Sequence, residues 1–142
     1  LAPHQQLAWR RAAAVLSLAD RQQNARMVLA ATTAKPWAVT QEKVAEAVRR
    51  LVAGAAPRKL IVFGSAARGE LSAANDLDLL VVQAKVASRY AETLRLRRLL
   101  KGLLMPIDLV VTSEASFRER SLIPGTLEFR AASEGCVVYD AD

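Results

Sequence analysis

The sequence predicts an α/β fold, a sheet covered by helices. Three observations carry this expectation. Apolar runs of strand length recur at residues 60–63, 76–82, 105–112 and 136–139. Segments with helical spacing separate them, and strands alternating with helices pack as layers around one core. Turn and capping residues also fall at the junctions, among them Thr40, Gly54, Pro57, Ser113, Pro124 and Gly135.

Taken in order, residues 5–31 are rich in Ala, Leu, Gln and Arg and predict a helix. Its apolar side chains fall on two opposite sides, Leu7/Leu18/Leu29 and Trp9/Leu16/Met27. A helix of that kind is sandwiched between two surfaces, within one subunit or against a second copy or partner. Pro36 ends the segment, because it disfavours helix at Lys35. Residues 1–39 therefore read as a helical extension and residues 40–142 as the main domain. Thr40 caps a helix over 41–53, whose Val44, Val48, Leu51 and Val52 form a sheet-facing stripe. Gly54 is expected to stop it and Pro57 to keep it from resuming. After the strand at 60–63 and the segment that follows, Lys85–Lys101 predicts another helix, with Leu96, Leu100 and Leu103 in register. Its Arg95, Arg97, Arg98 and Lys101 read as a solvated face. The strand at 105–112 is apolar on both sides of Asp108, as in a covered sheet. Ser113 caps a short helix over 114–120, a further helix spans 127–133, and a last strand follows Gly135.

Composition narrows the class. The 142 residues suffice for one domain with a real core. No stretch approaches the roughly 20 uninterrupted apolar residues of a membrane span, and no signal peptide is recognisable. The single cysteine, Cys136, cannot form an internal disulfide, which fits a reducing cytoplasm. The net charge of +6 is uneven: residues 1–39 hold five basic residues and one acid, against fifteen and thirteen in the remainder. The interleaved aromatics of a base-stacking platform are missing, so this charge reads as a solvated helical face before a nucleic-acid contact.

The chemistry concentrates in residues 58–82, RKLIVFGSAARGELSAANDLDLLVV. Side chains alternate across a strand, so Asp76 and Asp78 share one face and Leu77 and Leu79 the other. Like charges about 4 Å apart repel by about 4 kcal/mol at an effective dielectric near 20. A pair held that way at the start of an apolar strand suits a hard cation. Gly64 and Ser65 close the preceding strand; the glycine permits a sharp turn and the serine offers a hydroxyl to a phosphate. Gly64 to Gly69 has the glycine spacing of a Walker loop, but Glu70 and Leu71 stand where that loop needs Lys and Ser/Thr. Asp108 is either a paired structural acid or a ligand, and the Asp76/Asp78 pair favours ligand. The only histidine, His4, lies in the extension, so nucleophile–histidine machines and zinc clusters are excluded. Three carboxylates without His or Cys indicate Mg²⁺ or Mn²⁺.

Gly64-Ser65, ten residues, then Asp76-Leu77-Asp78, with Asp108 on a later strand, resembles the signature of nucleotidyltransferases related to DNA polymerase beta. The stretch from about Val44 to Tyr139 resembles their small branch, the minimal nucleotidyltransferase domain. Two positions depart from the pattern: Ala66 and Asn75 stand where many members have Arg and Ser. The resemblance implies a small mixed sheet covered by helices and a metal-dependent transfer of a nucleoside monophosphate, such as AMP from ATP, to a hydroxyl. It assigns Asp76, Asp78 and Asp108 to two metal ions, with Asp108 also assisting the acceptor. Gly64, Ser65 and Arg68 fall to the nucleotide's phosphates, although an exposed turn arginine is an equal reading for Arg68. It further implies an antitoxin role beside a small helical HEPN-type toxin, whose tyrosine would accept AMP. A module that neutralises such a partner by masking it alone is the alternative.

Overall fold

The computed structural model describes residues 35–68, 71 and 74–142. The helix expected over 5–31, with its two apolar sides, lies outside the described residues. The described chain runs α1 (Gln41–Ala55), β1 (Lys59–Phe63), a 3-10 turn (Gly64–Arg68), β2 (Leu77–Gln83), α2 (Arg89–Leu99), β3 (Ile107–Ser113), α3 (Glu114–Arg120), α4 (Leu127–Glu134) and β4 (Cys136–Asp140). The four strands form one mixed sheet in the order β3-β2-β1-β4. β1 is antiparallel to β2 and to β4, whereas β2 and β3 run parallel. The α/β expectation holds.

The alternation of side chains along β2 divides the core. Leu77, Leu79 and Val81 face one side and pack with Val44, Val48 and Leu51 of α1 and Leu96 of α2. Leu80 and Val82 face the other, with Ile61, Phe63 and Ala131, against the shorter α3 and α4. The second cluster is the smaller, and that face is where Asp78 emerges.

Helix starts follow their capping residues. The Thr40 hydroxyl accepts from the Lys43 amide at 3.2 Å, and Ser113 and Thr126 cap α3 and α4 in the same way. α2 begins at Arg89, four residues later than its apolar spacing suggests, because Ser88 caps it by accepting from the Ala91 amide. At the end of α1 the expected stop is displaced. The helix passes through Gly54 and ends at Ala56, which takes the left-handed conformation (φ 45°, ψ 56°). Gly54 instead allows close approach: a Cβ there would press on the Leu99 side chain. Gly135 also follows from proximity, since a Cβ would strike the Ala131 carbonyl and the Ile61 side chain.

Charged side chains tie the layers together. The Lys43 ammonium donates to the carbonyls of Pro36, Ala38 and Leu104, at 2.7, 2.9 and 2.7 Å, and so pins the segment before β3 to the start of α1. Arg95 pairs with Glu92, while Arg97, Arg98 and Lys101 are exposed, as a solvated face requires. Among the described acids Glu128 is the exception. Its side chain is 3% exposed and lies between Arg89, at 3.4 Å, and Arg120, at 3.1 Å. This one carboxylate joins the starts of α2 and α4 to the end of α3.

Candidate active site

The site lies where β1 ends and β2 begins. Phe63 is the cross-strand partner of Asp78, and Asp78 is the register partner of Asp108 on β3. Neighbouring strands lie about 4.8 Å apart, so Phe63, Asp78 and Asp108 make a row across one face of the sheet. Asp76 sits in the bend just before β2, close enough for its charge to act on Asp78. The structure thus brings together the two acids of the i, i+2 pair and the acid thirty residues further on.

The apolar strands place these acids. Leu77 and Leu79 are fully buried against α1 and α2, which turns Asp78 outward on the opposite face. β3 reads as a covered strand in the sequence but is an edge strand, and Asp108 is exposed. The difference arises from strand order: among the described strands β3 has a neighbour on one side only, and Asp108, near its start, stays open to solvent. That exposure leaves Asp108 free to meet a ligand.

Gly64 is required by two independent constraints. Its φ is +71°, which favours glycine, and a Cβ would overlap the Asp78 carboxylate. The chain can therefore turn directly over the acid. Ser65, the next residue, is exposed at the mouth of the turn, and so is Arg68 at its end. Ala66 and Ala67 are buried beneath, where the Cys136 thiol lies 3.9 Å from the Ala67 carbonyl. Burial raises the pKa of that thiol, which suits a structural rather than a reactive cysteine.

The electrostatics are those of crowded acids. Burial pushes the Asp78 carboxyl above its ordinary value, and the charges of Asp76 and Asp108 push it further. One opposing influence comes from Arg130 on α4, whose charge lowers it. Arg130 sits over the Phe63 ring, with its guanidinium carbon 5.6 Å from the ring centre. Sequence reasoning missed this residue. The available signal was helical spacing: Arg130 follows Leu127 by three positions and precedes Ala131, both of which pack toward the sheet.

Residues 41–133 match the family described as nucleotidyltransferase domain. The chain belongs to that family. The match covers the turn, all three acids and the helices on both faces, in accord with the resemblance of the Gly-Ser and Asp-x-Asp motif to the minimal nucleotidyltransferase domain. The mixed four-stranded sheet agrees with the polymerase-beta-like fold. No curated protein and no solved structure matches the chain. Among the described residues, no helix is long and apolar enough to cross a membrane. Nor are three His, Cys, Asp or Glu side chains among them gathered tightly enough to form a ready-made metal cage. The acids stand as a neighbouring pair, Asp78 and Asp108, with Asp76 beside them.

Proposed function

We propose that this nucleotidyltransferase domain transfers AMP from ATP to a hydroxyl acceptor with the help of divalent metal. The observation that carries this reading is the pairing of Asp78 with Asp108 beneath Gly64, in a chain of this family. The donor set is all oxygen and its charges repel one another, which suits Mg²⁺ or Mn²⁺. Asp76, Asp78 and Asp108 would hold the metal, which when bound supplies positive charge to the attacking and leaving oxygens. Asp108, exposed at the sheet edge, accepts the proton of the acceptor hydroxyl as its oxygen bonds to the α-phosphorus. The bond from that phosphorus to the bridging oxygen breaks, and pyrophosphate departs with the electron pair. Ser65 and Arg68 receive the distal phosphates at the turn.

The acceptor in this reading is a tyrosine of a small helical HEPN-type partner, which gives the protein an antitoxin role. In a second reading, favoured by Ala66 standing where many members have Arg, the domain grips nucleotide weakly and masks that partner without chemistry. Incubation with α-labelled ATP, Mg²⁺ and the partner separates the two. Label should reach the partner and be lost with Asp108→Asn, while ATP binding by that variant changes far less. Partner neutralisation without label transfer, with ATP and metal both bound, would establish masking. Millimolar Mg²⁺ or Mn²⁺ should also raise the melting temperature, and Asp76→Asn should remove that rise.

A further inference from the structure

We infer that Arg130 is a nucleotide-binding residue that grips the distal phosphates of the bound nucleotide and fixes the direction in which its triphosphate lies; this rests on the nucleotidyl-transfer reading above. The argument begins with position. α4 packs against both β1 and the 3-10 turn that carries Ser65. From α4, the Arg130 guanidinium lies over the face of Phe63, the last residue of β1 before Gly64. A cation over an aromatic face is held by the ring's quadrupole, and a flat guanidinium can stay there while its edge donates hydrogen bonds.

The second point is valence. Arg130 is exposed, and among the described residues its side chain makes no ion pair within 4 Å and no hydrogen bond. Three other arginines near the sheet are, by contrast, spent on carboxylates: Arg58 on Glu114 and Asp142, and Arg89 and Arg120 on Glu128. Arg130 acts on Asp78 only through its charge. Its N–H donors therefore remain available to a phosphate, which a guanidinium can bind with two parallel hydrogen bonds.

The third point is direction. Across the face the order is Arg130 over Phe63, then Asp78, then Asp108, each strand about 4.8 Å from the next. In-line displacement places the attacking and leaving oxygens on opposite sides of the α-phosphorus. With the acceptor at Asp108, on the exposed edge, the leaving pyrophosphate must point toward β1. That end presents Ser65 and Arg130 and no carboxylate of the row. The β1 end is thus the phosphate end and the β3 end the acceptor end.

The test is titration of the full chain with ATP, ADP and AMP in Mg²⁺, using the wild type, Arg130→Met and Arg130→Lys. Methionine keeps apolar cover over Phe63 while removing the charge, and melting curves establish that each variant is folded. Arg130→Met should weaken ATP about 10- to 100-fold while AMP binding stays within about twofold, so the preference for ATP over AMP collapses. Lysine should recover part of the loss, as a point charge without the fork. Inorganic tripolyphosphate should follow the ATP pattern. Unchanged ATP affinity in a folded Arg130→Met protein would overturn the inference alone and leave Arg130 as a counter-charge to Asp78. Failure of the wild type to bind ATP at all would overturn the nucleotidyl-transfer reading and this inference with it.

Discussion

Two groups of acids on the same sheet face are handled in opposite ways. Glu128 is almost wholly buried, yet two arginines from different helices flank it. Asp78 is only partly buried, yet its near neighbours are Asp76 and Asp108, and among the described residues the one cation that acts on it, Arg130, forms no ion pair with it. A buried charge with partners holds elements together, and removing it strands the cations around it. A charge crowded by its own kind costs stability until something positive arrives. The contrast separates an acid that serves the fold from acids kept for a ligand.

The largest expected effect breaks the first side of that contrast. Glu128→Ala should destabilise the domain by about 3 kcal/mol, near the low end for a broken buried pair because both arginines are half exposed. Denaturant unfolding measures it. Arg89→Ala should cost clearly less, since Arg120 remains with the acid; equal losses would show that the three groups act as one unit.

Asp78→Asn should act with the opposite sign. Without metal at neutral pH it relieves the repulsion from Asp76 and Asp108, so the melting temperature should rise by a few degrees while the response to Mg²⁺ disappears. A fall would mean that Asp78 is a paired structural acid after all.

The pH dependence sharpens the comparison. Asp78 has a raised pKa in the folded state, so its favourable contribution is present below the ordinary value of 3.8 and is lost as pH climbs through the raised one. Glu46 behaves in reverse. Hydrogen bonds from Arg49 and Arg50 hold its pKa at about 2, so its contribution is present above 4.5 and lost as pH falls toward 2. Metal-free stability curves should therefore lose their decline above pH 4 in Asp78→Asn and lose part of their acid limb in Glu46→Gln. Identical curves for wild type and both variants would sink this assignment.

The smallest effect concerns backbone alone. Ala56 pays for a left-handed conformation that glycine adopts freely. Ala56→Gly should stabilise by about 0.5–1 kcal/mol, the relief being partly offset by the added freedom of the unfolded chain. Equilibrium unfolding with an unchanged slope would register it.

Much of the fold and of the site was legible because it depends on neighbours in the chain. Thr40 and Ser113 cap helices through bonds that reach three residues ahead, and residue types near the junction announce them. Asp78 shows itself by interrupting an apolar strand, Asp76 by standing just before it, and Gly64-Ser65 by standing at its predecessor's end. What the sequence could not disclose depends on distance through space. No local rule places β3 at the sheet edge, so the exposure of Asp108 awaited the strand order. Gly54 had the chemistry of a helix stop, but packing against Leu99 set its role and left Ala56 to end the helix. Arg130 and Glu128 are two positions apart on one short helix, and tertiary packing decides what each charge meets. Glu128 meets Arg89 and Arg120, whereas Arg130 meets an aromatic ring and the edge of a row of acids. Residue type and spacing settle where charge can be tolerated along the chain. Only the packed sheet decides which charges find a partner, because electrostatic energy follows separation in space and the sequence records separation along the backbone.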